Sequence, residues 1–558
     1  MKKLSFLMLI LLGNFINLNA QNLLTDLRPG LDGSEPGFDN AFQRNNELYF
    51  IANPDGITNR LYKTDGTSGN TVVLEGGSSM YISLILGFLG DDLLYIAGDF
   101  LNGGSFGLYK TNGTPGAGEL VADYHQGNDW FVAYPMTITM NNVLYFLGND
   151  GVTGFELWRT DGTTAGTYLV KDINPGAESC LLITSPDQYF AELNGFIYFG
   201  AAEPVNGAEL WKSDGTEAGT TLVANIDTSE AIVPNLGSNP AFFCKYNNAV
   251  YFSALRPVDG RELWKTDGTE AGTVLVKDLA AGSGSPSNMI EYNGLLYFSA
   301  FYPDQNYTLY KSNGTNAGTV AVKPPSSGGP ILSLDDPFVI FKNKLFFAAN
   351  DGINGQGFSS IWYSDGTAAG TSPQADIPAA YNSHPLNLLA TTNYLYYTAY
   401  DDVNGNMNYG VYRTTDLANQ NVLLTASTFD ANEFQPLHLV NGCLLVRGDN
   451  NGATGEEIYT VCNQATQPVG LEEYKQEVFT VYPNPAIDRI TVESVSNLDQ
   501  VSGVTLQSLS GQPVTLSYAF SAQGKMIIEG LSNYHSGLYI LTITTKSGSS
   551  QQVKLVIE

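Results

Sequence analysis

Hydrophobic positions along this chain recur in short runs at a nearly fixed spacing. An apolar run containing an aromatic residue, such as "VLYF" at 143–146, is followed by a second run, such as "ELW" at 156–158, and then by "TDGT". Nine such units follow one another, and the first runs of successive units start 46 to 53 residues apart. A repeat of about this length is typical of β-propeller blades.

Turn residues divide each unit into four predicted strands. A pair of Asn or Gly residues, which tolerate the positive φ of a type I′ hairpin, precedes most of the first runs. These pairs are Asn141-Asn142, Asn194-Gly195, Asn247-Asn248, Asn293-Gly294 and Asn441-Gly442. A second loop, such as "NDGVTG" at 149–154, leads into the "ELW" strand, and "TDGT" turns the chain into the fourth strand. Each unit is therefore predicted to be an antiparallel meander.

The strands are apolar at consecutive positions, as in "FIYFGA" at 196–201, so both faces of each sheet must be covered. Sheets stacked between similar sheets around an axis meet this need. The third strands carry an aromatic residue in all nine units, which predicts packing between blades, with a carbohydrate-stacking array as the alternative. These residues are Tyr62, Tyr109, Trp158, Trp211, Trp264, Tyr310, Trp362, Tyr412 and Tyr459.

The two ends of the repeat array complement each other. The segment "NLLTDLRPG" at 22–30 matches the fourth-strand sequence "YLVKDINPG" at 168–176, yet no third strand precedes it, and the ninth unit has no fourth strand. We therefore predict that the N-terminal strand completes the last blade, which removes an exposed sheet edge. The predicted fold is all-β: a single propeller of eight or nine four-stranded blades, with two smaller rings as the alternative because the eighth unit is degenerate.

The repeat pattern stops near residue 464. A stretch at 464–475 reads as a linker, and the short β-branched runs that follow it have the spacing of a small β-sandwich. The predicted organisation is a leader at 1–20, the propeller at 21–463, the linker at 464–475 and a C-terminal domain at 476–558. The leader has the basic start, short apolar stretch and small final residue of a secretory signal peptide, with cleavage between Ala20 and Gln21.

The composition supports an exported all-β protein. Only 15% of the residues are charged, while Gly (59) and Tyr (32) are abundant. The net charge of −29 argues against nucleic acid and anionic membrane surfaces as partners. It indicates either solubility outside the cell or the binding of Ca²⁺ or cationic ligands. No segment after the leader is long and apolar enough to span a membrane.

Four cysteines in an exported protein permit disulfides. Cys443 and Cys462 would face each other if their strands form a symmetric hairpin about residues 452–453, so we predict a bond between them. Cys180 and Cys244 lie in successive repeats and could form a second bond.

The C-terminal segment resembles the type A C-terminal sorting domain of the type IX secretion system of Bacteroidetes. The matching features are Tyr482, Pro483, Asn484 and Pro485, "LSG" at 509–511, "GLYIL" at 537–541 and the final "VKLVIE" strand. The resemblance implies an Ig-like β-sandwich that the type IX machinery recognises and carries across the outer membrane, often with later cleavage and release or attachment to surface lipopolysaccharide. The repeats resemble "ELWxTDGTxxGTxxVKDI" arrays of secreted proteins from the same phylum, which implies little about activity.

The residue that precedes Gly in "TDGT" is interpreted as a turn residue whose side chain accepts a nearby backbone N–H. It is Asp or Asn at Asp65, Asn112, Asp161, Asp214, Asp267, Asn313 and Asp365. The two Asn copies favour this turn role over cation binding, because Asn keeps the hydrogen bond without the charge. The loops "NDGVTG", "NDGING" and "DNNGATG" are rich in oxygen ligands and could bind Ca²⁺, but they lack the spacing and closing Glu of an EF-hand.

No catalytic constellation is recognisable in the sequence. The four histidines, His125, His384, His438 and His535, are scattered, and no nucleophile elbow, zinc-protease motif or P-loop is present. We therefore expect a secreted or cell-surface propeller that binds a glycan or a surface protein without chemistry and needs no cofactor. The alternatives are a carbohydrate-active enzyme that uses a pair of carboxylates and a structural envelope protein.

Overall fold

The structure is a computed structural model of the 558-residue chain. It describes residues 22–28, 33–77, 80–98, 106–123, 136–180, 189–228, 237–302, 306–332, 338–350, 359–374, 385–400, 409–415, 422–425, 429–431, 435–450, 456–462, 479–482, 487–494, 501–508, 514–520, 525–534, 537–545 and 550–557. The chain divides into two compact units, at 1–464 and 465–558.

The described part of the first unit forms nine antiparallel sheets, and each sheet is one blade of a propeller. Strand β1 (Asn22–Thr25) belongs to the last blade. The strands of blades 1 to 4 are β2 (Gly37–Arg44), β3 (Glu47–Ala52), β4 (Arg60–Thr64), β5 (Val72–Glu75); β6 (Tyr81–Leu89), β7 (Asp92–Gly98), β8 (Phe106–Thr111), β9 (Glu119–Ala122); β10 (Thr137–Met140), β11 (Val143–Asn149), β12 (Phe155–Thr160), β13 (Tyr168–Lys171); and β14 (Ala191–Leu193), β15 (Phe196–Glu203), β16 (Gly207–Ser213), β17 (Thr221–Ala224).

Blades 5 to 9 repeat this arrangement, with the first strand of blades 7 and 9 in two pieces. Their strands are β18 (Ala241–Tyr246), β19 (Ala249–Arg256), β20 (Gly260–Thr266), β21 (Val274–Lys277); β22 (Ser287–Tyr292), β23 (Leu295–Phe301), β24 (Tyr307–Ser312), β25 (Val320–Ala321); β26 (Ile331–Leu332), β27 (Val339–Phe341), β28 (Lys344–Asn350), β29 (Ser359–Ser364), β30 (Thr371–Pro373); β31 (Leu386–Ala390), β32 (Leu395–Tyr400), β33 (Tyr409–Thr414), β34 (Val422–Leu423); and β35 (Phe429–Ala431), β36 (His438–Val440), β37 (Cys443–Asn450), β38 (Glu457–Cys462). Short 3-10 helices lie at Ser68–Asn70 and Pro325–Ser327.

The hairpin between the first and second strands has the predicted type I′ geometry. In blade 1 the two turn residues, Asn45 and Asn46, have φ values of 50° and 59°. Both turn residues also have positive φ in blades 3, 4, 5, 6, 7 and 9. These positions need residues that adopt positive φ without strain, which explains the Asn and Gly pairs of the sequence.

Hydrophobic cores lie between the blades. Each pair of successive blades shares one cluster of buried side chains; for example, Leu157 and Val170 of blade 3 pack with Phe199 and Trp211 of blade 4. The ninth cluster joins blade 9 to blade 1 through Leu445, Ile458 and Phe50. The described residues therefore form one closed ring of nine blades, which confirms the predicted fold class, fixes the number of blades, and makes the alternative of two smaller rings wrong.

The aromatic series of the third strands belongs to these cores. Trp158 is 3% exposed and packs against blade 2, and Trp362 is 1% exposed and packs against blade 6. Eight of the nine aromatic side chains are less than 8% exposed, and the ninth, Tyr109, is half-buried. The series is therefore packing between blades, and the alternative of a carbohydrate-stacking array is wrong.

The N-terminal strand closes the ring as predicted. Strand β1 pairs antiparallel with β38, with Asn22 opposite Thr460 and Leu23 opposite Tyr459. Leu24 is 6% exposed and lies in the core between blades 9 and 1. The outer strand of blade 9 is therefore β1, so blade 9 is built from both ends of the propeller sequence.

The second unit contains two four-stranded antiparallel sheets with one shared hydrophobic core. Its strands are β39 (Phe479–Tyr482), β40 (Arg489–Ser494), β41 (Val501–Ser508), β42 (Val514–Thr515), β43 (Ala519–Phe520), β44 (Met526–Glu529), β45 (Gly537–Thr545) and β46 (Ser550–Ile557), with a short 3-10 helix at Leu531–Asn533. One sheet has the order β39-β40-β44-β43 and the other has the order β42-β41-β45-β46. Tyr482 ends β39, whereas Pro483, Asn484 and Pro485 lie outside the described residues.

The four cysteines fall into two groups. Cys180 and Cys244, whose pairing the sequence left open, are free thiols. Cys443 is disulfide-bonded, and it lies directly opposite Cys462 in the register of β37 and β38. We propose that these two residues form the bond, which would fix the last propeller strand just before the chain leaves for the second unit.

Loss of this bond is expected to destabilise the propeller. Cys443→Ala should lower the free energy of unfolding by about 3 kcal/mol, because the bond closes a loop of roughly twenty residues in the unfolded chain. Thermal unfolding with and without reductant measures the effect. Cys244→Ser is the control, because it removes a thiol that is not disulfide-bonded. An equal response of both variants to reductant would contradict the assignment.

Candidate binding face

The antiparallel meander separates the connections of each blade onto two faces of the ring. The turns between strands one and two, and between strands three and four, leave from one end of the sheet. We call this the turn face. The loops between strands two and three, and the connections from strand four to the next blade, leave from the other end, which we call the loop face. The two faces carry different chemistry.

The seven predicted turn residues lie on the turn face and share one hydrogen bond. In each, the side-chain Oδ1 accepts the backbone N–H two residues later, at 2.8–3.1 Å. Asn112 and Asn313 make the same bond as the five aspartates. In Asp267 the hydroxyl and N–H of Thr269 hold the pKa of the carboxyl below its usual value, so the charge persists into acidic solution.

A cationic side chain links five of these seven turns to the preceding blade. The Lys or Arg that follows the third-strand aromatic donates to the carbonyl oxygen of the turn Gly in the next blade. The pairs are Lys110 to Gly162, Arg159 to Gly215, Lys212 to Gly268, Lys265 to Gly314 and Lys311 to Gly366. Donor and acceptor are 2.8–3.3 Å apart. These bonds join neighbouring blades, so the basic residue and the turn Gly of the repeat phrase contribute to ring assembly at this face.

The loop face contains buried glutamates to which the sequence analysis assigned no role. They stand near the start of the third strand in blades 3, 4, 5 and 9, and each is 0% exposed: Glu156, Glu209, Glu262 and Glu457. In blade 3 the Glu156 carboxylate accepts the N–H groups of Ile173 and Asn174 at 3.0 and 3.2 Å. The carboxylate therefore holds the chain where it leaves the fourth strand.

We call the residues that follow the fourth strand the exit segment, and a buried carboxylate that accepts N–H groups from it a clamp. In blade 4 the clamp extends to a third N–H group and a hydroxyl. The Glu209 carboxylate accepts the N–H groups of Ile226 (2.9 Å), Asp227 (3.1 Å) and Ser238 (3.0 Å). It also accepts the Ser238 hydroxyl at 2.5 Å. In blade 9 the corresponding Glu457 accepts N–H groups from Leu27 and Arg28, because the N-terminal segment takes the place of the fourth strand. The sequence signal was the Glu of "ELW" in blades 3, 4 and 5 and of "EIY" in blade 9.

Burial changes the acidity of the clamps. It raises the pKa of Glu156 and of Glu262 to about 7, against the opposing effect of the N–H groups that these carboxylates accept. In the unfolded chain a glutamate titrates near 4.3. Between these values the folded protein binds more protons than the unfolded chain, so the free energy of unfolding must fall as the pH rises from the unfolded pKa through the folded pKa of about 7.

We therefore expect the unfolding temperature to be higher at pH 5 than at pH 8. Below pH 5 the trend is opposed by those turn-face aspartates whose pKa values are lowered in the folded protein, which are Asp65, Asp161, Asp267 and Asp365. Thermal unfolding of the whole protein across this range is the measurement, and a variant with Glu156→Gln and Glu262→Gln should show a flatter profile. A rise in unfolding temperature from pH 5 to pH 8 would contradict the assignment.

Acidic side chains also fix the loops between strands two and three. Asp150 of "NDGVTG" accepts the N–H groups of Val152 and Thr153 at 2.9 and 2.8 Å. Glu203 does the same for Val205 and Asn206 at 2.9 and 2.8 Å. Within the described residues, no group of three or more His, Cys, Asp and Glu side chains is arranged to hold a metal ion. The loops "NDGING" and "DNNGATG" extend outside the described residues, and Ca²⁺ binding there stays a prediction.

The remaining residues named from the sequence are not brought together. His438 packs edge-on against Phe38 of blade 1 at 5.4 Å, and burial lowers the pKa of its imidazole. His125, His384, His535, Ala20 and Gln21 lie outside the described residues. No described helix is long and apolar enough to cross a membrane.

Comparison with known proteins identifies one segment. Residues 480–558 match the family model described as secretion system C-terminal sorting domain. No curated protein sequence matches the chain. Solved structures that match part of this chain include a puromycin hydrolase and a puromycin-hydrolysing peptidase of Mycobacterium tuberculosis, both 13% identical, with TM-scores of 0.33 and 0.35. The former covers 67% of this chain and the latter 66%, and each match covers 58% of the other chain.

A third similar structure is prolyl oligopeptidase B from Galerina marginata, at 10% identity and a TM-score of 0.35, covering 78% of this chain and 56% of the other. The chain thus spans 56–58% of the length of these structures. The firm assignment comes from the end of the sequence: residues 480–558 are a type IX secretion system C-terminal sorting domain, carried behind a nine-bladed β-propeller.

Proposed function

We propose that the propeller is a non-catalytic binding module that acts outside the cell and uses its loop face to contact a glycan or a surface protein. The sorting domain at 480–558 implies export to the cell surface or into the medium through the type IX machinery. We infer that residues 1–20 direct the preceding step, with cleavage between Ala20 and Gln21. N-terminal sequencing of the exported protein should then begin at Gln21.

The use of the buried carboxylates carries this proposal. Glu156, Glu209 and Glu262 are 0% exposed, and each accepts main-chain N–H groups from its own blade's exit segment. A glycosidase instead needs two carboxyl groups that face the substrate across one bond. In several blades this acid instead faces inward and fixes the main chain, which makes the loop face a rigid scaffold. These acids therefore support binding rather than catalysis.

A combined binding and turnover screen tests the proposal. The full mature chain is applied to a glycan array and, in parallel, incubated with the same polysaccharides while released reducing sugars are measured, with and without added Ca²⁺. We expect saturable binding without turnover. Hydrolysis of any polysaccharide by the purified protein, abolished by substitution of an exposed acid on the loop face, would replace the binding function with the enzymatic one.

A further inference from the structure

The exposed apolar side chains of the propeller are concentrated at one loop position. Among its described residues, the four most exposed large apolar side chains are Ile57 (63%), Val152 (70%), Val205 (81%) and Val258 (81%). The next, Leu120, is 48% exposed. All four lie in the loop between the second and third strands, in blades 1, 3, 4 and 5, and so on the loop face. Single exposed aliphatic residues are ordinary, but recurrence at one position is not.

The backbone around these residues is held in place. The N–H of Val152 donates to Asp150, and that of Val205 donates to Glu203, both at 2.9 Å. In blade 5, Arg256 and Asp259 form an ion pair across the loop, and the N–H of Asp259 donates to the carbonyl of Arg256 at 3.0 Å. Each loop therefore presents its valine without needing that side chain for its own folding. Such preorganisation lowers the entropic cost of binding.

Three of these four exposed residues lie in neighbouring blades. Val152, Val205 and Val258 stand on the consecutive blades 3, 4 and 5, and we call these three residues the tip arc. Packed sheets lie about 10 Å apart, so adjacent tips are separated by a distance on the order of 10 Å or more. The tip arc is thus a row of separate aliphatic knobs, with Ile57 farther round the ring.

The chemistry of the tip arc selects among partners. Its side chains are aliphatic, whereas glycan recognition by stacking uses aromatic rings. The flanking charges are Asp150, Glu203 and Asp259 against the single base Arg256, in a chain of net charge −29. An anionic membrane would be repelled, and a second copy would bring the same acids together.

We propose that the tip arc docks a protein surface that has an apolar patch bordered by Lys and Arg. The proposal rests on the binding function inferred above and names the class of partner for the loop face. The partner's apolar patch would cover the valines, while its basic residues would lie beside Asp150 and Glu203. The acids would speed the encounter, and burial of the valines would slow dissociation.

A probe peptide tests the tip arc directly. The probe is a fluorescein-labelled amphipathic peptide of leucine and lysine, and its binding to the full mature chain is followed by fluorescence anisotropy. The variant with Val152→Ser, Val205→Ser and Val258→Ser should raise Kd by at least about tenfold. The control variant has Leu120→Ser, Val274→Ser and Val320→Ser, which removes the same number of exposed apolar side chains from fourth strands. It should bind as the wild type does. Both variants should unfold at the wild-type temperature, because all six side chains are exposed.

Several results would overturn the proposal. These are an equal Kd for the tip variant and the wild type, an equal loss in the control variant, or equally tight binding of a leucine and glutamate peptide. Dimerisation in analytical ultracentrifugation that the tip variant abolishes would make the occupant a second copy. Tip-dependent flotation with phosphatidylcholine vesicles would make it a lipid surface. If the wild-type protein binds a glycan but not the peptide, the tip arc alone is rejected, whereas polysaccharide turnover would reject the binding function itself.

Discussion

Deletion of residues 22–28 is expected to open the ring and to promote association between chains. Strand β1 is the outer strand of blade 9, and its removal exposes the main-chain edge of β38. It also removes Leu24 from the core between blades 9 and 1 and takes two N–H donors from the buried Glu457. An exposed sheet edge beside a broken core invites pairing with other chains. Size-exclusion chromatography and thermal unfolding of the exported protein measure both effects.

Point substitutions in the same strand separate the core from the edge. Leu24→Ala should lower the free energy of unfolding by about 2–5 kcal/mol, because it leaves a cavity at the closing interface. Its neighbour Leu23 is 40% exposed, and Leu23→Ala should change the free energy of unfolding by no more than about 0.5 kcal/mol. If the deletion variant stays monomeric with unchanged unfolding temperature, or if both substitutions behave alike, the strand does not close the ring.

The fold could be predicted from the sequence because its determinants are local and repeated. The type I′ turns are written as Asn and Gly pairs, since few other residues adopt positive φ at both positions without strain. The strands are apolar at consecutive positions, so both faces of each sheet had to be covered. Residues 22–30 match a fourth strand but follow no third strand, which indicated that they complete the last blade and close the ring. The number of blades was left at eight or nine because blade 8 lacks the "DGT" turn, although its strands β31 to β34 still pair as the others do.

The candidate face was harder to predict because its interactions join distant residues. Glu262 binds Leu279 and Gly284, and nothing local in "ELW" shows that the carboxylate turns inward to accept those N–H groups. In the same way, an aliphatic residue in a polar loop is an ordinary exposed residue until the same loop position carries one in four blades, as Ile57, Val152, Val205 and Val258 do. Repetition was the available signal in both cases, because a residue type that recurs at the same position of several repeat units indicates a role common to those units.

The repeat phrase divides its residues between the two faces. In blade 4, Glu209 holds the exit segment at the loop face, Lys212 reaches the carbonyl of Gly268 in blade 5, and Asp214 fixes the turn at the turn face. The aromatic Trp211 between them packs against blade 3. One short strand thus joins three blades, so the free energy of the ring is distributed over equivalent interfaces. Loss of a single clamp should therefore weaken its own interface before the others.

Glu209→Ala is expected to be among the most destabilising single substitutions in the ring. It leaves the N–H groups of Ile226, Asp227 and Ser238 without their acceptor, and a buried donor without a partner costs free energy. The expected loss is about 3–5 kcal/mol in the free energy of unfolding, measured by denaturant titration. Glu209→Gln, which keeps one acceptor oxygen, should lose less. Glu217→Ala removes an exposed acid from the same blade and should be neutral.

Substitution of Glu209 should also weaken binding at the loop face. Asn225, next to the clamped Ile226, donates to the side chain of Asn206 at 2.8 Å, and Asn206 follows Val205 of the tip arc. Release of the exit segment therefore loosens the loop that presents Val205, so the Glu209→Gln variant should bind the leucine and lysine peptide more weakly than Glu217→Ala does at a temperature where both are folded. Wild-type affinity and stability in both Glu209 variants would show that the buried carboxylate neither holds the exit segment nor supports the tip.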